Sequence, residues 1–174
     1  MEPEEVYFDP KEFVRAAREN LVSRHASINS AQNLSIKGQG IIMKNVEVRS
    51  DMSRIEIGKY CLIEENAKIR PGKRIDSIAQ DLKAEYTPMS IGDNTRIGKN
   101  TLVESASIGR NVVIEDNCIL CADTIIKDNC IIKQGTVVPK GVVIPPFFEV
   151  GGKPSKLVKP LPASFPATQR QAAL

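Results

Sequence analysis

Branched aliphatic residues return at every sixth place in this chain. Neither a strand, repeating every two residues, nor a helix, repeating every 3.6, produces that period. In "IGDNTRIGKNTLV", residues 91 to 103, they are Ile91, Ile97 and Val103. From Ile108 the series runs through Ile114, Leu120, Ile126, Ile132, Val138 and Ile144. Upstream it holds Ile57, Ile63 and Ile69, and before those Ile36, Ile42 and Val48. The step from Val103 to Ile108 is one residue short.

Two further columns accompany the aliphatic one. Three residues after the aliphatic stands a residue that tolerates a left-handed backbone: Asn66, Asn94, Asn100, Asn111, Asn117, Asp123, Asn129, Gly135 or Gly141. Four residues after it comes a small residue: Cys61, Ala67, Thr95, Thr101, Ser107, Val112, Cys118, Thr124, Cys130, Thr136 or Val142. The period therefore reads as a short strand, a corner of positive φ, and a small side chain turned inward where space is tight. Three such flats close a triangular coil of about eighteen residues, and stacked coils pair strand to parallel strand about 4.8 Å apart. The repeats suffice for roughly five coils. The expected fold is all-β, a single-stranded parallel β-helix with one protruding loop and non-repeat termini. The hexapeptide family that it resembles winds left-handed, an exception to the usual crossover rule.

Three segments fall outside the period. Residues 1–27 should cap the helix. "DPKEF" fits a helix start with Asp9 as cap and Pro10 in the first turn, and "EFVRAA" with "NLVSR" fits two short strands equally well. The β-helix itself should span 28–150, interrupted at 70–90 by "RPGKRIDSIAQDLKAEYTPMS", which must leave the prism as a loop. Ile75, Ile78, Ala79 and Leu82 there follow helical spacing, as a helix on the protein's own flank or a partner-binding projection would. Residues 151–174 form a Pro-rich, basic tail, expected to drape over the last coil before fraying.

Chemistry finds little purchase. The net charge of +3 is too small to imply nucleic acid, and no apolar run reaches a membrane span. The acidic start "MEPEEV" resembles neither a secretory signal nor a mitochondrial presequence, so a cytosolic chain with reduced cysteines is expected. Cys118 and Cys121 form a CxxC, yet Cys61, Cys118 and Cys130 fall in the inward column and Cys121 does not, which favours core packing over zinc. His25, the sole histidine, precedes the regular coils and reads as an exposed or capping residue. The glycines Gly38, Gly40, Gly151 and Gly152 are turn glycines rather than a phosphate loop. No cofactor and no metal are expected.

Family resemblances sharpen this. "VRSDMSRIEIG", with Arg49 and Asp51, and "PMSIGDNTRIGKNTLVESASIGRN" resemble γ-class carbonic anhydrases, in which the Arg and Asp bridge neighbouring subunits or coils. That family binds zinc through three histidines; the matching positions here are Arg70, Lys99 and Glu104, two of them cations that would repel Zn²⁺. Hexapeptide acyltransferases usually deprotonate the acceptor with a histidine in the coil wall, and His25 lies outside the repeat. "GGKPSKLVKPLP" resembles the G-x-P-A-K ending of those enzymes. The more specific likeness is in "NLVSRHASINSAQNLSIKGQGIIMKNVEVRSD", residues 20–51. Its Val22-Ser23-Arg24, Gln32-Asn33, Gly38 and Ile41-Ile42-Met43 resemble the dynactin subunit 5 family, a likeness that runs to about residue 150.

That resemblance implies a non-catalytic, cytoplasmic, cytoskeleton-associated scaffold in dynactin's pointed-end complex. Its partners would be a second β-helical subunit, an actin-related protein, the large pointed-end subunit and dynein cargo adaptors. Ile75, Ile78, Leu82 and Tyr86 on the loop, with Phe147 and Phe148 near the last coil, are the expected partner contacts. The alternatives are a zinc-less carbonic-anhydrase-like subunit and a hexapeptide acyltransferase.

Overall fold

The aliphatic column builds the core of a left-handed parallel β-helix. A computed structural model describes residues 9–74 and 85–165. On the first face Ile42, Ile63, Ile97, Ile114 and Ile132 stack in register, ending on Val150. Val48, Ile69, Val103, Leu120 and Val138 line the second. The third carries Ile36, Ile57, Ile91, Ile108, Ile126 and Ile144. From Ile42 onward every one of these is at most 3 % exposed. A fully buried Ile contributes roughly 1.5–3 kcal/mol, so the column is the main source of stability.

The corners follow the expected backbone. Asn66, Asn94, Asn100, Asn111, Asn117, Asp123 and Asn129 hold φ between 54° and 62°, and Gly135 and Gly141 lie at 73° and 75°. Tyr60 and Phe147 occupy the same corner position at φ 58° and 61°, where bulky residues rarely sit.

The third face has the six strands expected, and the second gains a sixth, Ser27–Ile28, with Ile28 paired to Val48. On the first face, residues read as cap join the ladder: Leu21 and Val22 pair in parallel with Ile41 and Ile42. Of the two N-terminal readings the strands prevail. Phe13–Ala16 and Asn20–Ser23 form an antiparallel hairpin, while Asp9 caps only one turn through the Lys11 N–H, 2.9 Å from its Oδ1. Buried Asn20 ties that hairpin to the first coil: its Nδ2 donates to the Ala17 carbonyl and its Oδ1 accepts the Gly40 N–H.

Below the loop the third face is thicker than the period suggested. Leu34, Ile55 and Met89 add a second inward residue to its first three strands, pairing with one another two places before the main column. Met89 is therefore core, not loop. The described stem of the excursion is an antiparallel pair, Lys73–Arg74 against Glu85–Tyr86.

The tail is more ordered than a draped segment. Phe148–Gly151 completes the first face and Lys156–Pro160 returns antiparallel on it, with a bulge between Glu149 and Val150. The returning strand leaves Leu157 and Val158 half exposed at the sheet edge, beside Lys156, Lys159 and Pro160. Lysines, a proline and a bulge are the devices by which edges avoid unwanted pairing.

Candidate functional site

The small inward column does more than fill space. Five members reach a carbonyl of the next coil, whereas the Thr124 and Thr136 hydroxyls donate within their own coil, to Cys121 O and Lys133 O: the Cys61 thiol donates to Gly92 O at 3.1 Å and the Thr95 hydroxyl to Gly109 O at 2.8 Å. Thr101 reaches Glu115 O at 3.2 Å, and Cys118 and Cys130 reach Lys133 O and Pro145 O, both at 3.1 Å. Cysteine and threonine thus share one role, a weak interior donor. Burial pushes the Cys61 thiol up to about 11, and the Cys118 and Cys130 thiols in the same direction. Cys121 points elsewhere and is half buried.

At the short step the column shifts. Ser107 lies on the outward strand face opposite Ser90, and Ser105 turns inward instead, with its hydroxyl 2.7 Å from that of Thr124. At this shortened corner the coil below, at Gly72, comes close to the coil above, at Ala122. Pro71 and Gly72 are buried there. A Cβ on Gly72 would stand 2.7 Å from the Ala122 methyl, two coils away. The Thr87 N–H closes the loop base on the Gly72 carbonyl at 2.9 Å.

The positions matching zinc-binding histidines carry other work. Arg70 forks onto Glu104 of the next coil, with Nε and Nη2 at 3.1 and 2.9 Å from Oε1. The Lys99 amide donates to Asp116 Oδ1 at 2.8 Å. Arg49 grips Asp51 through two 3.0 Å hydrogen bonds, holding that carboxyl below its ordinary range; the pair lies within one corner and spans no coils. His25 is exposed. Among the described residues no group of three or more His, Cys, Asp or Glu side chains is placed to hold a metal ion. None of their helices is long and apolar enough to cross a membrane.

Of the expected partner contacts, Ile75, Ile78 and Leu82 lie outside the described residues. Tyr86 is half buried in the loop stem opposite Lys73. Phe147 and Phe148 sit at the far end of the prism, Phe148 packed against the core. Six coils separate that end from the N-terminal hairpin, so these contacts do not form one patch with it.

A family model described as Dynactin subunit 5 matches residues 1–169. The chain belongs to the dynactin subunit 5 family. The match extends past the limits of 20 and 150 set by the motifs, into both termini. A Dynactin subunit 5 from Dictyostelium discoideum is 32 % identical over 111 residues, which cover 63 % of this chain and 53 % of that protein. The chain thus spans about half the length of this relative. Among solved structures, a variant of AntD, an N-acyltransferase from Bacillus cereus, superposes with a TM-score of 0.69 at 14 % identity, covering 87 % of this chain and 86 % of that one. A perosamine N-acetyltransferase from Caulobacter crescentus gives 0.62 at 15 %, over 80 % and 56 %. At such identities the enzymes share the fold alone.

The sequence held one further signal, a pairing of Gly with Asp between coils, in this dynactin-family chain. Asp93, Asp116 and Asp128 each accept a backbone N–H from the coil below, those of Lys59, Lys99 and Arg110, all at 2.8 Å. Beneath each carboxylate lies a glycine, Gly58, Gly98 or Gly109, where any Cβ would strike it. The "IG" following the aliphatic is the visible half of that device.

Proposed function

We propose that this chain is a non-catalytic scaffold subunit of the dynactin pointed-end complex, supporting dynein-driven transport along microtubules by recruiting cargo or adaptors. The observation that carries this is the family match over residues 1–169. The coil wall is consistent with it: Arg70 and Glu104, at the positions where the carbonic anhydrases bind zinc, neutralise each other instead. A prism stiffened by parallel ladders offers preformed flat faces and ends to its neighbours. The partners are a second β-helical subunit, an actin-related protein and the large pointed-end subunit, with dynein adaptors as clients. The contacts are assigned to Ile75, Ile78, Leu82 and Tyr86 on the loop and to Phe147 and Phe148 at the end.

Affinity purification of the tagged chain with mass spectrometry tests the assignment. Recovery of actin-related protein and other dynactin components is expected, and a preparation lacking both rejects it. An Ile78→Asp/Leu82→Asp chain that still recovers every partner rejects the loop contacts. Acetyl-CoA binding by a homotrimer would favour the acyltransferase reading instead.

A further inference from the structure

The two ends of the prism differ. At the far end Val138, Ile144 and Val150, the last inward residues of the three faces, are at most 3 % exposed. At the near end the first inward residues are only partly buried: Val22 on the first face, Ile28 on the second, Leu34 and Ile36 on the third, with Ala26 among them. Within their sheets the strands carrying Ile28, Leu34 and Ile36 have a neighbour on one side only. The hairpin continues the first face downward, but its Val14, paired with Val22, is 42 % exposed. Its turn meets the third face at the corner, where the Gln39 N–H donates to Arg18 O at 3.0 Å. Val14, Val22, Ile28, Leu34 and Ile36 therefore ring an end that the described residues leave unsealed.

We infer that residues 1–8 close this end, with Val6, Tyr7 and Phe8 packed under the first coil. These residues lie outside the described ones, and the chain enters from the open side. Across the hairpin the Arg24 N–H donates to the Glu12 carbonyl at 2.8 Å, so by alternation the Phe13 N–H turns away from Ser23, toward the free edge. There it donates to the Asp9 carbonyl at 3.0 Å. Asp9 is thus held below the first face, and Phe8 is its neighbour in sequence. An extended chain rises about 3.4 Å per residue, so Val6 to Phe8 reach roughly 10 Å from Asp9, half the span of a six-residue flat. That carries them beneath the exposed ring. Three consecutive large apolar residues gain by leaving water there, and the ring gains with them. A second copy could cover the same residues only by collision, whereas a tethered segment is always at hand.

The test is NOE spectroscopy between aromatic rings and methyl groups of the isotopically labelled full chain, with amide exchange beside it. Contacts from the Tyr7 and Phe8 rings to methyls of Val14, Val22, Ile28, Leu34 and Ile36 are expected at every protein concentration. In Val6→Ser/Tyr7→Ser/Phe8→Ser, exchange of the Ser27 and Asn29 N–H groups, bonded to Val46 O and Val48 O, should quicken at least about tenfold. The Lys133 N–H, bonded to Val150 O at the far end, should exchange as before. A parent chain without those ring contacts overturns the inference, and so does unchanged exchange in the variant. Equal quickening at Lys133 would mean that the segment serves the whole fold rather than this end, and counts against it. Ring contacts between differently labelled copies, or methyl shifts that follow concentration, would give the end to a second copy and overturn it equally.

Discussion

Gly98 has an ordinary backbone conformation, yet it should be among the least replaceable residues of the wall. A Cβ there would lie 2.6 Å from the Glu115 carbonyl carbon, 2.6 Å from Asp116 Oδ1 and 2.7 Å from Asp116 N. Ordinary contact begins at 3.4 Å, so the next coil would have to retreat by about 0.8 Å. Two of the opposing atoms are backbone, held by the 2.8 Å hydrogen bonds from the Gly98 N–H to Ile114 O and from the Lys99 N–H to Asp116. Overpacking of this kind costs about 1–3 kcal/mol, and loosening one or two hydrogen bonds adds about 1. The unfolded chain returns about 0.4–1 kcal/mol, because Ala has less freedom to lose than Gly. Gly98→Ala should therefore destabilise by about 2–3 kcal/mol, lowering Tm by about 4–12 °C in a chain of this size.

Gly141 is the matched control, with φ at +75° and no atom within 4 Å of a Cβ. Gly141→Ala meets only the left-handed penalty, about 1–2 kcal/mol, offset by the same unfolded-state term. Urea and thermal unfolding of both variants make the comparison. If Gly98→Ala proves as mild as Gly141→Ala, close approach of the coils is not what demands glycine. Adding Asp116→Ala to Gly98→Ala should not restore stability, because the carbonyl carbon and amide nitrogen remain in the way. Full recovery would mean that only the carboxylate was struck.

Native chain at pH 8 should take up one equivalent of iodoacetamide, at Cys121, and four after denaturation, as read by intact mass; fast labelling of Cys118 or Cys130 would contradict their burial. The Cys61 thiol shifts from an ordinary 9.0 to about 11, so the unfolded chain loses this proton first as pH rises. Stability should fall between about pH 9 and 11, and Cys61→Ala should flatten that decline in urea midpoints. Lys156→Val/Lys159→Val removes the charges guarding the terminal sheet edge and should raise the oligomer fraction in size-exclusion runs, with no change in monomer Tm. Ile114→Ala should cost about 2–5 kcal/mol in urea unfolding, since Ile114 is fully buried between Ile97 and Ile132.

The prism was legible because its constraint repeats. Every coil must turn three corners, so the demand for Asn, Gly or Asp at one place and Ile or Val at another is written many times over. What occurs once was harder to read. Nothing in the spacing marks Leu34, Ile55 and Met89 as a second inward column, because each stands two places from a residue already assigned to the core. Val22 and Ile28 keep the six-residue period, yet polar neighbours hid them. The short step was visible as a gap, but its consequence, a buried seat for Pro71 and Gly72, needs the coil above and the coil below at once. Likewise Arg70 and Glu104 could be excluded as zinc ligands singly, whereas their mutual pairing depends on stacking residues 34 positions apart.

The same stacking explains how one fold serves acyltransferases and a dynactin-family chain. Inward positions are fixed by coil closure, and the hydrogen bonds of Cys61, Thr95, Thr101, Cys118 and Cys130 show how little latitude they leave. Outward positions are free, since a side chain there touches only its neighbours one rung above and below. A catalytic group or a partner contact can therefore be gained or lost on the wall with almost no cost to the core. The unpaired Arg110 is informative for that reason. Coil closure does not require it, and its guanidinium pairs with neither Asp93 one rung below nor Asp128 one rung above. Arg110→Ala should thus leave the urea midpoint within about 0.5 kcal/mol of the parent chain, as expected of a surface change. A large loss of stability would mean that the arginine serves the fold.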